Sequence, residues 1–273
     1  MDVTLSKILP DALPATGRPA DKPTGARVKV LGKTFHILEV LSRSEEPLAV
    51  ASIARLTGLN RSTVHRTVQM LLEAGYVEQS APGSSRFAIG PQTLPLAASY
   101  LNQNQLRSVA LSHLYPLTLQ TGLRGHLGIH SDGEVMYLGG FEKPEFPTIY
   151  TWFGRQTPMH CSSLGKSLMA YMPGEAVDGI LALPLRKFTE NTITDPATLK
   201  EQLTDIRKNG YAFDDAEHIE NNYCLGAPIL SNGDAVAAIS IATRDKDELF
   251  KALPALLRTA ATISQAISGT IRL

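Results

Sequence analysis

The 273-residue chain has little cysteine: Cys161 and Cys224 are the whole complement. Neither sits in a CxxC pair, so the spacing of a zinc site is missing and no disulfide framework is implied. No run of about 18 apolar residues occurs, so no membrane helix is expected. The N-terminus lacks the charged start and apolar centre of a secretion signal, and the expected location is cytoplasmic. Net charge is also absent, with 26 Lys and Arg balanced by 26 Asp and Glu. The chain as a whole is therefore no polycation that would hold nucleic acid by charge alone. What is present is 43% apolar residues, enough for the core of one large domain or two ordinary ones.

The charge is unevenly placed. Between residues 26 and 90, Arg27, Lys29, Lys33, Arg43, Arg55, Arg61, Arg66 and Arg86 outnumber five acidic residues, and the remainder from residue 91 is net acidic. A basic N-terminal module joined to a larger acidic one is a pattern of DNA readers. Ahead of it, residues 1–25 carry Pro10, Pro14, Pro19 and Pro23 with little apolar periodicity, and a mostly disordered tail is expected.

Leu31, Phe35, Leu38 and Leu41 recur at helical spacing and predict a helix over 28–43 with that face buried. A short helix over Ala49–Leu56 follows, with Ile53 and Leu56 inward. Gly58 suits the left-handed position after its end. Asn60 or Ser62 offers a cap for the next helix, whose Val64, Val68 and Leu71 share one face. Its other face shows Arg61, Ser62, Thr63, His65, Arg66 and Gln69. Two short helices about a glycine turn, the second polar and basic outward, form a helix-turn-helix. Strands at Tyr76–Gln79 and Arg86–Ile89 around "SAPGSS" would add a wing. A polar, basic helix is ordinarily just a solvated face; the turn, cap, buried face, wing and local charge together favour double-stranded DNA. Those six helix residues would then reach base edges or phosphates, and Arg86 a phosphate.

Residues 91–104 read as a linker helix and 105–273 as a second module. Helices are predicted from Leu106 to about Thr121, at Ser162–Tyr171, at Pro196–Lys208 and, as one long element, over 247–269. Hairpins are predicted around "SDGE" (His126–His130 with Val135–Phe141) and "SNGD" (Cys224–Leu230 with Ala235–Thr243). Antiparallel hairpins with separate helices indicate an α+β domain. Such a domain tied to a DNA reader suits ligand sensing and dimerisation, and a dimer would read a palindromic operator.

Within this module "MHCSSLGKSLMA" (Met159–Ala170) resembles the end of a phosphate loop. The first glycine of that motif would fall at His160, and no apolar strand precedes it, so the segment reads as a helix start capped by Ser162 or Ser163. Cys161 beside His160 is a weak nucleophile pair, because adjacent side chains seldom face each other. His126 and His130 share a strand face but supply only two metal ligands. No catalytic residue, metal site or cofactor is expected. The alternatives are an enzyme using Cys161 or Cys224, or a winged-helix module that binds protein.

Motifs in both modules resemble the IclR-type transcriptional regulators over nearly all of the chain after the tail. "GLNRSTVHR" (Gly58–Arg66) is similar to the family's helix-turn-helix core, and "RFAIG" (Arg86–Gly90) to the end of its wing. "RQTPMHCSSLGKSLMA" and "GYAFDDAEHIENNYCLGAPI" are similar to two segments of its effector domain. The resemblance implies a GAF-like effector domain that binds small molecules, often organic or aromatic acids, in a homodimer or homotetramer. Carried over position by position, it implies a pocket with Ser163, Leu164, Asp214, Cys224, Ser240 and Ala242. Leu164 is bulkier than the residue usual there, Ala242 lacks a hydroxyl found in members that bind small keto acids, and Asn221 stands where glycine is common. These departures imply a bulkier or more apolar effector.

Overall fold

The computed structural model describes residues 26–142 and 153–268. The expected disordered tail lies outside the described residues. The chain divides into two compact units after Tyr100.

The first unit opens with α1 (Ala26–Ser42), β1 (Leu48–Ala49), α2 (Val50–Thr57) and α3 (Arg61–Glu73). It continues with β2 (Val77–Gln79), β3 (Arg86–Ile89) and α4 (Thr93–Gln103), within which the unit boundary falls. Gly58 takes the left-handed conformation, φ +67°, as the turn requires. Asn60 is the cap of α3: its Oδ1 accepts the amide of Thr63 at 2.8 Å. Ile37, Leu41, Ile53, Val64, Val68, Leu71, Val77 and Phe87 form the core. The three strands pair antiparallel in the order β1-β3-β2, so the wing includes a two-residue strand, β1, too short for periodicity to reveal.

Two burial expectations fail here. Leu31 and Phe35 are 59% and 60% exposed, and Leu56 is 47% exposed. The core reaches only the C-terminal half of α1, through Ile37 and Leu41. In α2, Ala54 takes the second inward position instead of Leu56.

The second unit holds α5 (Gln105–Thr121), β4 (Arg124–Ser131), β5 (Glu134–Phe141), β6 (Gln156–Pro158), α6 (Ser163–Met169), α7 (Gly174–Leu181) and α8 (Pro196–Asn209). It ends with β7 (Ala212–Asp215), β8 (Tyr223–Ser231), β9 (Asp234–Thr243), α9 (Lys246–Lys251) and α10 (Leu253–Ser268). Six strands form one antiparallel sheet, β6-β5-β4-β9-β8-β7, so the fold is α+β. Side chains alternate between its faces. Leu127, Leu225, Ala227, Ile239 and Ile241 pack against α5 and α10 on one face. Val135, Ala212 and Ala238 pack with α6, α7 and α8 on the other.

The single long C-terminal helix expected over 247–269 is two helices. Pro254 has no amide to donate to the Phe250 carbonyl and its ring crowds that oxygen, so α9 stops and α10 starts anew. β6, β7 and α7 were not foreseen. The strands have three and four residues, and α7 carries two glycines in eight residues, which lowers its helix propensity.

Candidate functional site

In the first unit, α3 is anchored by Val64, Thr67, Val68 and Leu71, which are buried. A helix fixed by that face must turn the intervening positions outward. Arg61, Ser62, His65 and Arg66 are exposed, and Thr63 and Gln69 half-buried. Ser62 also donates to Asn60 Oδ1 at 3.0 Å, so it helps order the turn. Arg61, His65 and Arg66 form no ion pair among the described residues. Arg86 on β3 is exposed and donates through Nη1 to the Pro47 carbonyl at 3.1 Å, which ties the wing to the segment before α2.

In the second unit, the antiparallel register fixes which side chains share a face. Asp214 lies opposite Cys224, Cys224 opposite Ala242, and Ala242 opposite Arg124. The next row is Ala212, Gly226, Ser240 and His126. Both rows face α6. A Cβ added to Gly226 would stand 2.5 Å from the Ser163 carbonyl oxygen, so glycine lets the start of α6 lie directly on β8. The six positions singled out from sequence, Ser163, Leu164, Asp214, Cys224, Ser240 and Ala242, therefore converge on one sheet face and the helix end above it. Leu164 is a core side chain within this arrangement, packed over Gly128 near Val135.

The start of α6 is tightly built. Ser162 is its cap, accepting the Gly165 amide at 3.2 Å and donating to the Pro158 carbonyl at 2.6 Å. Lys166 is wholly enclosed: Nζ donates to Glu217 Oε1 at 2.5 Å and also to the Phe213 carbonyl. A lysine committed to an internal carboxylate is not free for phosphate, so the phosphate-loop likeness of "GKS" comes from an interior tie instead. That tie links α6 to the loop after β7. Thr192 and Thr189 hold the same loop by donating to the Glu217 carbonyl at 2.5 and 3.2 Å. Ala216 and Asn221 flank it in the left-handed region, φ +54° and +55°. Asparagine tolerates that conformation better than most residues, so Asn221 adopts it at little cost.

Burial governs the ionisable groups. It pushes the Asp214 carboxyl up to about 7, against the opposing pull of the Glu217 amide and Lys166. It raises the Cys161 thiol, with the Asp214 charge adding to the effect. It raises the Cys224 thiol in the same way. It lowers His126 to about 3 and His218 to about 4. A nucleophilic cysteine needs its thiolate, and both thiols are held away from it. His160 turns Nε2 to the Arg186 carbonyl at 3.0 Å. His126 meets Ser240 Oγ at 3.4 Å, whereas His130 accepts the Gly133 amide at the hairpin tip. Four residues apart on a strand, the two histidines are about 13 Å apart, too far to share a metal. Arg124, His126, Asn222, Lys166 and Glu217 were not foreseen at the site. For Lys166 and Glu217 the sequence signal was the Gly-Lys and Asp-Asp-x-Glu motifs, whose meeting depends on the fold.

Comparison with known proteins places the fold in a family. Residues 98–268 match the family described as "Bacterial transcriptional regulator IclR C-terminal", and residues 30–81 match the "IclR helix-turn-helix domain". The transcriptional repressor IclR of Escherichia coli is 28% identical over 260 residues, 92% of this chain and 94% of its own length. The crystal structure of an IclR transcriptional regulator from Alicyclobacillus acidocaldarius superposes with a TM-score of 0.77 at 26% identity, covering 88% of this chain and 99% of that one. An IclR homologue from Microbacterium hydrocarbonoxydans, crystallised with 4-hydroxybenzoate, shares the fold with a TM-score of 0.74 at 24% identity, covering 88% and 100%. These relatives are transcriptional regulators, not enzymes, and no helix among the described residues is long and apolar enough to cross a membrane. With a capped helix-turn-helix at one end and an antiparallel α+β unit at the other, the chain belongs to the IclR family of bacterial transcriptional regulators.

Proposed function

We propose that this regulator binds a palindromic operator as a homodimer or homotetramer and changes its operator affinity on binding a small organic or aromatic acid. The observation that carries the DNA half is the outer face of α3. Arg61, His65 and Arg66 have no ion-pair partner among the described residues, on a helix whose opposite side is locked into the core. These side chains, with Ser62, Thr63 and Gln69, would enter the major groove, and Arg86 would meet a phosphate beside it. The functional division proposed is a winged reader over 26–90, a linker over 91–104 and an effector and assembly domain over 105–273, acting in the cytoplasm.

The effector half rests on the convergence of Ser163, Leu164, Asp214, Cys224, Ser240 and Ala242 at α6 and the sheet. A relative of the same fold holds 4-hydroxybenzoate, which makes aromatic acids the first ligands to try. The floor at residue 242 is an alanine methyl, which supports an effector more apolar than glyoxylate or pyruvate. Because Leu164 packs over Gly128, its bulk is less of an argument than the missing hydroxyl. An effector with unequal affinity for two states of the protein would shift it towards the state it prefers, and operator affinity would follow.

The test is fluorescence anisotropy on DNA from the intergenic region upstream of the gene. The wild-type protein should bind with an affinity that falls steeply with salt. Arg66→Ala should weaken binding by about tenfold or more, the scale of one lost charged contact. Unchanged binding by that variant would remove α3 as the reading helix.

A further inference from the structure

The row Asp214–Cys224–Ala242–Arg124 is acidic at one end, basic at the other and small between. Three strand spacings separate the ends, about 14 Å. The neighbouring row adds Gly226 and Ser240, also small, and ends at His126 on the same strand as Arg124. Between its charged ends this stretch of sheet is thus lined by small side chains, a shallow floor that we call the trough.

Arg124 stands at the trough's β4 end, half-buried. A guanidinium offers five N–H donors in a fixed fork. Among the described residues its one hydrogen-bond acceptor is Asn222 Oδ1, bonded from Nη2. It forms no ion pair with a carboxylate among them. A partly desolvated cation without a counter-charge is costly unless something anionic joins it. Its field already reaches the trough, where it favours the thiolate of Cys224 and the neutral ring of His126. Asn222 spans the gap, donating through Nδ2 to Cys224 Sγ at 3.2 Å. Its carboxamide oxygen therefore marks where an acceptor sits on the guanidinium, on a side chain that also reaches Cys224.

We propose that Arg124 is the residue that receives the carboxylate of the effector, as a bidentate partner, with the rest of the ligand lying over Ala242 and Cys224 towards Asp214. This rests on the reading of the trough as the effector site and adds to it the residue that selects an acid over its neutral counterpart. The bland alternative is that Arg124 only clamps the loop through Asn222. The two differ in what Asn222→Ala does: a clamp is lost equally from either side, whereas a carboxylate receptor survives without Asn222.

The experiment is calorimetric titration of the full-length protein with benzoate, 4-hydroxybenzoate and pyruvate, each beside its neutral amide. The wild-type protein should prefer at least one acid over its amide by tenfold or more. Arg124→Gln should abolish that preference, Arg124→Lys should retain part of it, and Asn222→Ala should keep it. The preference of the unmodified protein is a test that needs no variant to fold. An amide bound as well as its acid, no acid bound at all, or an Arg124→Gln protein that still prefers the acid would each overturn the proposal. Ala242→Trp, which fills the floor, separates the two levels. If it abolishes binding while Arg124→Gln keeps the preference for the acid, the trough stands and Arg124 is not the receptor. If Ala242→Trp leaves binding unchanged and Arg124→Gln leaves the preference unchanged, the effector lies elsewhere and both readings fall.

Discussion

Lys166 and Glu217 are 1% and 3% exposed, and each would be a buried unpaired charge without the other. Removing one partner of such a pair typically costs about 3–5 kcal/mol, while replacing both with apolar groups is often neutral. Lys166→Met should therefore destabilise the second unit by about that amount, and Lys166→Met with Glu217→Leu should recover most of the loss in urea unfolding. Equal losses in single and double variants would show that packing, not charge, is at stake. Asp214 makes a second residue-scale prediction. Its carboxyl is raised from 3.8 to about 7, so between those values the folded chain holds a proton that the unfolded chain has released. Its contribution to stability is full below about pH 4 and is lost as pH rises through about 7. His126, lowered from 6.5 to about 3, acts in the opposite sense, its contribution present above 6.5 and lost as pH falls through about 3. Comparing wild type with Asp214→Asn cancels the histidine. The wild type should lose stability relative to the variant as pH goes from about 4.5 to 7.5 in thermal unfolding, and a constant difference would contradict the assignment.

At the scale of elements, α6 and α7 show that a glycine's meaning lies in its surroundings. A Cβ at Gly165 would stand 2.3 Å from the Met159 carbonyl oxygen and 2.4 Å from its Cα, backbone that cannot step aside. At Gly179 in α7 the same atom meets nothing within 4 Å. Alanine is the better helix former at both by up to about 1 kcal/mol. Gly179→Ala should thus raise the unfolding temperature slightly, while Gly165→Ala should lower it, since overpacking of this kind costs about 1–3 kcal/mol. Matching shifts of the same sign would mean that propensity alone governs both. Local signals made α3 readable: Gly58, Asn60 and the Val64–Val68–Leu71 stripe are adjacent in sequence and fix cap, turn and orientation by themselves. They could not reveal β7, four residues long, or the break at Pro254, where apolar periodicity runs on across both helices.

At the scale of the whole molecule, the most exposed apolar side chains among the described residues include clusters on α1 and α4. Val30, Leu31 and Phe35 on α1 are 54%, 59% and 60% exposed, and Leu94, Leu96 and Tyr100 on α4 are 68%, 61% and 50% exposed. Leu31 with Phe35, and Leu96 with Tyr100, are four residues apart and so share a helix face. Full burial of a side chain of this size is worth about 1.5–3 kcal/mol, so a second copy covering these faces would be held by several such terms. Light scattering should find the wild-type protein as a dimer or larger, and Phe35→Glu should shift it towards monomer. Operator affinity should fall with it, because two linked half-sites become one. A Phe35→Glu protein of unchanged mass would place the assembly surface elsewhere.

The sequence by itself determined the helix-turn-helix, its outward-facing residues, the two hairpins and the α+β class, because each depends on neighbours within a few positions along the chain. The motif resemblance pointed to Ser163, Leu164, Asp214, Cys224, Ser240 and Ala242, without saying how they meet. Only the tertiary structure decided that they meet at one sheet face and the start of α6, because the register of β7, β8, β9 and β4 sets Asp214, Cys224, Ala242 and Arg124 side by side. It alone decided that Leu31 and Phe35 stay in water, that Lys166 spends its charge on Glu217, and that Arg124 keeps no carboxylate partner among the described residues. Burial and ion pairing are properties of what lies across the fold, which a local pattern of residues does not contain.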